Sequence, residues 1–287
     1  MKGFNNIGNT CYLNSGLQML IQNKDLSCLI MKYMNQSDIL QKIGNLINDY
    51  YNNESSPLNP IEIKNIVQEK QELFSGYGQQ DSTEFIIYFL DIIEEEIKKI
   101  TKTNEVEKIF GINFNVRIKC KLLSCLNISN KKEINNFLIL DLDPTIDNLD
   151  DAYRKFKSSE KLENENEYFC EECKDKRIAS KRTTINEWSD YVCIWLRRFT
   201  QSGNRILKNN QDINIPLSWR HNLELSGAVI HYGNIDRGHY IYIGKQNNEW
   251  FIFNDSQVSK INSPNELSKL LCKAYTLCYV NHSKPIE

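Results

Sequence analysis

The sequence predicts an α+β protein: the first third carries helical periodicity, the remainder alternates as strands, and the change falls near residue 110. With 287 residues, 40% of them apolar, the chain can bury a sizeable core. Charged residues make up 25% and the formal net charge is −2, without a basic stripe or a like-charge block. Nucleic acid and membrane surfaces are therefore not expected partners. No apolar run approaches the roughly 18 residues of a membrane-spanning helix, and the opening MKGFNNIGNTCYLN lacks the apolar core of a secretion signal. The expectation is a soluble, intracellular monomer.

The elements follow in order. Leu13, Leu17, Leu20 and Ile21 sit at i, i+4, i+7 and i+8 after Asn9-Thr10, a candidate cap. Leu40, Ile43, Leu46 and Ile47 repeat that pattern, and 61–73 adds a further helix. The longest stripe is 82–100, with Phe85, Phe89, Ile92, Ile93 and Ile97 on one face. Beyond 110 the period becomes two: Ile112, Phe114, Val116 and Ile118 alternate with polar residues. Strand-like runs recur at 137–141, 191–199, 226–232, 239–244, 250–254 and 274–280.

Nine cysteines, an odd number without a secretion signal, argue against a disulfide framework. Cys11 falls at the first turn of a predicted helix, where unpaired N–H groups and the helix dipole favour the reactive thiolate. Gly8 would let a substrate approach the backbone, and the Asn6 amide could donate to an oxyanion. Locally, Cys11 reads more readily as a small buried residue, and position alone does not overturn that. Its case rests on a partner. Of four histidines, His282 lies in a polar tail, His221 in a loop-like stretch, and His231 in an apolar strand as core or cleft wall. His239 follows Asp236-Arg237-Gly238 and opens a strand; Trp250–Asn254 returns after the polar turn 246–249. An even loop puts His239 and Asn254 on one face, opposed or one diagonal step apart. An odd loop would bring Asp255 there instead. Either side chain could fix the imidazole tautomer, as the third member of a Cys-His-Asn/Asp triad does.

Cys120 and Cys125, then Cys170 and Cys173, form two pairs with the spacing of a structural zinc site. Cys28, Cys193, Cys272 and Cys278 lie in apolar runs and read as packing. Asp81 and Glu84, before an apolar run, read locally as a capping box. Gln79 and Gln80 read as cleft-lining donors or a polar turn.

Together these residues resemble the ubiquitin-specific protease family along almost the whole chain. One box runs from Gly3 to Ser15, with Phe4 in place of the usual Leu. A second is Gly78-Gln79-Gln80-Asp81-Ser82-Thr83-Glu84-Phe85. The third joins Gly238-His239-Tyr240, Trp250, Phe253-Asn254-Asp255-Ser256 and Val258. The resemblance implies a papain-like cysteine protease fold: a helical thumb over about 1–108, mostly fingers over 109–200 and mostly palm over 201–287, as one catalytic domain. It implies Cys11 as nucleophile, His239 as base and acid, Asn254 as orienting residue with Asp255 as alternative, and Asn6 at the oxyanion. It also implies that Asp81 and Glu84 grip the basic tail of ubiquitin, with Gln80, Gly238 and Tyr240 alongside. Ubiquitin and ubiquitinated proteins are the implied partners. No catalytic cofactor is implied, and zinc is structural, although four residues between Cys120 and Cys125 depart from the family's usual two. Two alternatives stay open: a protease for another ubiquitin-like modifier, and a silent pseudo-enzyme that only binds ubiquitin.

Overall fold

A computed structural model describes residues 1–52, 57–202, 205–220, 222–234 and 237–283; His221 and Asp236 lie outside them. Helices fill the first third. Cys11–Ile21 is buried on every side, and Ser82–Thr101 crosses it. The crossing is close because residue 16 is glycine: a Cβ there would overlap the Phe85 ring. Ser82 Oγ, 2.8 Å from the Tyr12 carbonyl and 3.0 Å from Ser15 Oγ, satisfies polar atoms at the same contact. Helices Lys24–Tyr33, Asp38–Tyr51 and Ile61–Lys70 complete this layer. The expected helix over 61–73 stops at Lys70 and continues as the short 3₁₀ turn Glu72–Phe74.

A large sheet faces the helices. Its strand order is Gln257–Lys260, Glu249–Asn254, Gly238–Gln246, Leu223–Gly233, Ala274–Asn281, Tyr191–Arg197 and Phe137–Asp141, antiparallel except for the last pair. Both faces are covered, which explains the continuous apolar runs of its central strands. Val229, Cys193, Tyr242 and Phe253 point to the helical core. Ala228, Ile194, Ile243 and Leu277 point to a second core, closed by helices Leu149–Phe156 and Pro264–Leu271. A second sheet, Ile128–Asn135, Ile112–Cys120, Ala179–Glu187 and Glu160–Leu162, is more open to solvent, with burial alternating along Ile112–Val116, and ends near the four cysteines. Strands Phe137–Asp141 and Tyr191–Arg197, inside the stretch expected to be mostly fingers, belong to the large sheet.

Of the cysteines expected to be packing, Cys193 and Cys278 are buried cross-strand neighbours. Cys28 is exposed and Cys272 half-buried. The apolar runs around those two belong to helices whose buried stripe passes them by.

Candidate active site

Cys11 is the first residue of its helix and only 5% exposed. The cap before it is Thr10, whose side chain makes no bond to the helix; Thr10 Oγ1 instead accepts from Ile7 N–H, and Asn6 Oδ1 accepts from the N–H groups of Gly8 and Thr10. Gly8 has φ +116° and lies under the Tyr77 ring, so glycine serves the turn and that contact.

Across the cleft, the strands bearing His239 and Asn254 are joined by Asn247-Asn248, both at positive φ, as a two-residue hairpin turn requires. The register pairs Tyr242 with Phe253. Asn254 therefore falls opposite Ile241, one diagonal step from His239. His239 Nε2 lies 2.7 Å from Asn254 Oδ1. That leaves Nδ1 toward Cys11. Hydrogen bonding to the Cys11 sulfur is the main cause that raises the His239 imidazole to about 9; the Asn254 bond and the charges of Cys11 and Asp255 add to it, and burial opposes. A sulfur held beside a charged imidazole is the pairing by which a Cys–His nucleophile is activated.

Asp255 turns its carboxylate away to two asparagines. Its carboxylate accepts from Asn6 Nδ2 at 2.9 Å and Asn14 Nδ2 at 2.7 Å, and its carbonyl accepts from Phe4 N–H at 2.9 Å. Asn14 was not singled out from sequence. Its signal is a polar residue one turn after Cys11 on a helix whose other positions, Ser15 and Gln18 apart, are apolar or glycine.

Gln80, Asp81, Glu84, Gly238 and Tyr240 line one cleft of about 410 Å³ together with Cys11. Trp195, Phe199, Tyr275 and His231 form its aromatic wall. Asp81 caps helix Ser82–Thr101 through Oδ1, accepting from Thr83 N–H at 2.7 Å and Glu84 N–H at 3.1 Å. Its other oxygen accepts from the Tyr275 hydroxyl. Burial raises its carboxyl above the usual range, and burial plus Asp81 raises Glu84. Capping and cleft-lining thus coexist in one residue. His231 is a wall: 5% exposed, its ring 4.4 Å from that of Tyr240, and driven down to about 3 by burial, then Lys208 and His239. It stays neutral where His239 is charged.

The sulfurs of Cys120, Cys125, Cys170 and Cys173 all lie within 4.8 Å of one another, with Cys125 and Cys170 at 3.6 Å. Tetrahedral zinc with about 2.3 Å bonds needs edges of about 3.8 Å, so the donor set fits. Asn127 Nδ2 donates to Cys170 Sγ at 3.2 Å; this bond first, with knuckle N–H groups, lowers that thiol to about 6. The wider first spacing is absorbed by the turn at Leu122–Cys125, closed by a 2.9 Å backbone bond.

A buried helix-start cysteine coupled to an imidazole across a groove, on this arrangement of helices and sheets, defines a cysteine peptidase. Residues 2–279 match the family described as ubiquitin carboxyl-terminal hydrolase. The chain belongs to that family, whose members are cysteine-type deubiquitinating peptidases. It is 29% identical to "Ubiquitin carboxyl-terminal hydrolase 12" of Salmo salar, covering 96% of this chain and 88% of that protein. It is 29% identical to "Probable ubiquitin carboxyl-terminal hydrolase 16" of Schizosaccharomyces pombe, over 98% of this chain and 67% of that one. Among solved structures, the SAGA Ubp8/Sgf11/Sus1/Sgf73 DUB module bound to ubiquitin aldehyde matches with TM-score 0.81 and 25% identity, over 99% of this chain and 70% of that chain. The same module bound to monoubiquitin gives 0.80. The fold is the papain-like one with helical thumb, sheet palm and β fingers.

Proposed function

We propose that Cys11 is the nucleophile of a deubiquitinase and that it cleaves the bond after the terminal glycine of ubiquitin. The observation that carries this reading is the coupling of Cys11 to His239, whose Nε2 is held 2.7 Å from Asn254. The thiolate attacks the carbonyl carbon, and the oxyanion is met by N–H donors of the first helical turn, unpaired by rule, and by Asn6. One Asn6 N–H is spent on Asp255, which aims the amide; the other remains for the substrate. His239 Nδ1–H protonates the departing amine as the C–N bond breaks, leaving a thioester. Nδ1 then takes a proton from water, whose oxygen attacks the thioester and releases ubiquitin. Asn254 keeps the imidazole in the tautomer and plane that this shuttle needs. Asp255 serves the oxyanion side rather than the imidazole.

The substrate's extended basic tail suits the cleft beside Asp81 and Glu84, with Gln80, Gly238 and Tyr240 as further contacts. The helical region 1–108 acts as thumb, 109–200 contributes the fingers and 201–287 most of the palm. Ubiquitin and ubiquitinated proteins are the partners, and nine free cysteines suit a monomer working in a reducing cell interior. The test is labelling with a ubiquitin-derived suicide probe, beside Cys11→Ala and probes made from other modifiers. An adduct on wild type alone, with the ubiquitin probe preferred, is the expected result; labelling only by another modifier's probe would replace ubiquitin as substrate.

A further inference from the structure

The strand that carries His239 has an unequal pair of edges. Leu223–Gly233 pairs with it from Gly244 back to Gly238. On the other side, Glu249–Asn254 pairs only from Tyr242 onward, so among the described residues the segment with His239 has no strand neighbour there. Gln79 stands in for one. Its Oε1 accepts from Gly238 N–H at 2.9 Å and its Nε2 donates to Gly238 C=O at 3.1 Å, the two bonds an adjacent strand residue would make. His231 closes the opposite side, since a Cβ on residue 238 would overlap its Nε2. Residue 238 must therefore be glycine, and its backbone is held from two directions.

Gln79 belongs to the helical side of the cleft. Two residues later Asp81 caps helix Ser82–Thr101, which is fixed to the Cys11 helix through Ser82, Ser15 and the Gly16 crossing. A short path of packed and hydrogen-bonded groups thus runs from the sulfur's helix to the residue before the imidazole. We propose that Gln79 is a positioning residue that sets the separation of Cys11 and His239. It is the partner of the Asp255 tie to Asn6 and Asn14, which anchors the chain just past Asn254. The inference rests on the roles proposed for Cys11 and His239. Both Gln79 bonds are solvent-exposed, so their loss costs little global stability, whereas a displaced imidazole is amplified in the rate.

The experiment compares Gln79→Met, which keeps length without hydrogen bonds, with Gln79→Glu. Hydrolysis of a fluorogenic ubiquitin amide and alkylation of Cys11 by iodoacetamide are followed across pH. For Gln79→Met, kcat falls about tenfold with KM within about twofold, and the alkylation profile moves toward that of an isolated thiol. For Gln79→Glu, the carboxylate keeps the acceptor and loses the donor. Its activity relative to wild type rises as pH falls toward about 4.3, where a protonated carboxyl can again donate to Gly238 C=O. Wild-type kcat and alkylation in Gln79→Met, or a loss in KM alone, overturns the inference. Should that variant not fold, a pH-independent ratio for Gln79→Glu overturns it. If wild type itself neither labels nor hydrolyses, the roles of Cys11 and His239 fall first, and this inference with them.

Discussion

Two cysteine sites in one chain are built on opposite plans. The catalytic cleft joins residues up to 249 positions apart, as the Asn6–Asp255 bond shows, and needs both the helical layer and the large sheet. The four-cysteine cluster draws on residues 120 to 173 and on a small local core of Cys120, Cys125 and Cys170. In the cleft one sulfur meets an imidazole. In the cluster, sulfurs meet each other. The same functional group suits a nucleophile or a metal ligand according to its neighbours. The comparison predicts that damage to the cleft stops chemistry while leaving the fold intact, and damage to the cluster does the reverse.

The largest effect separates them outright. Cys11→Ala should lower hydrolysis of a fluorogenic ubiquitin amide by roughly 10⁴-fold or more and leave the thermal midpoint nearly unchanged above about pH 9, where the charged His239 no longer contributes. Unfolding several degrees lower would show that the cleft cysteine is also structural. Next, Asn254→Ala should cost about 10²-fold in kcat, and Asp255→Asn less, because the imidazole keeps its own partner. A larger loss in Asp255→Asn would reverse the roles given to this pair. At the cluster, Cys173→Ser should take bound zinc from near one per chain toward zero by metal analysis, lower the thermal midpoint and raise KM with kcat largely kept. A loss confined to kcat would erase the contrast. The smallest effect is spectroscopic. His239 is charged up to about 9 mainly through Cys11, so in Cys11→Ala its ring resonances should titrate nearer the ordinary 6.5. The sign for stability follows: a raised folded pKa gives wild type a contribution that is full below about 6.5 and lost as pH rises through about 9. An unchanged titration in Cys11→Ala would remove Cys11 as the cause.

Much was legible in the residues. Helix Ser82–Thr101 matches its stripe within a residue at its far end, because five buried apolar side chains at helical spacing leave one register that hides them. Strand Ile112–Cys120 follows from alternation. Helices Lys24–Tyr33, Leu149–Phe156 and Pro264–Leu271 did not stand out, being short or mixed in their stripes. At the site, parity brought Asn254 to the face of His239, but parity alone left Asp255 open; the two-residue turn at Asn247-Asn248 chose the register. Gln79 offered two readings, and neither foresaw a clasp on Gly238.

By itself the sequence determined the α+β class, the reactive residue types, the four-cysteine set and the family, since these depend on local spacing and motif identity. Tertiary structure alone decided what meets what. Asp255 turns from imidazole to Asn6 and Asn14, Gln79 completes a strand edge, and His231 stays neutral beside a charged neighbour. The reason is that hydrogen-bond partnership and desolvation are set by distance and burial, which packing fixes across hundreds of residues and which no local pattern encodes.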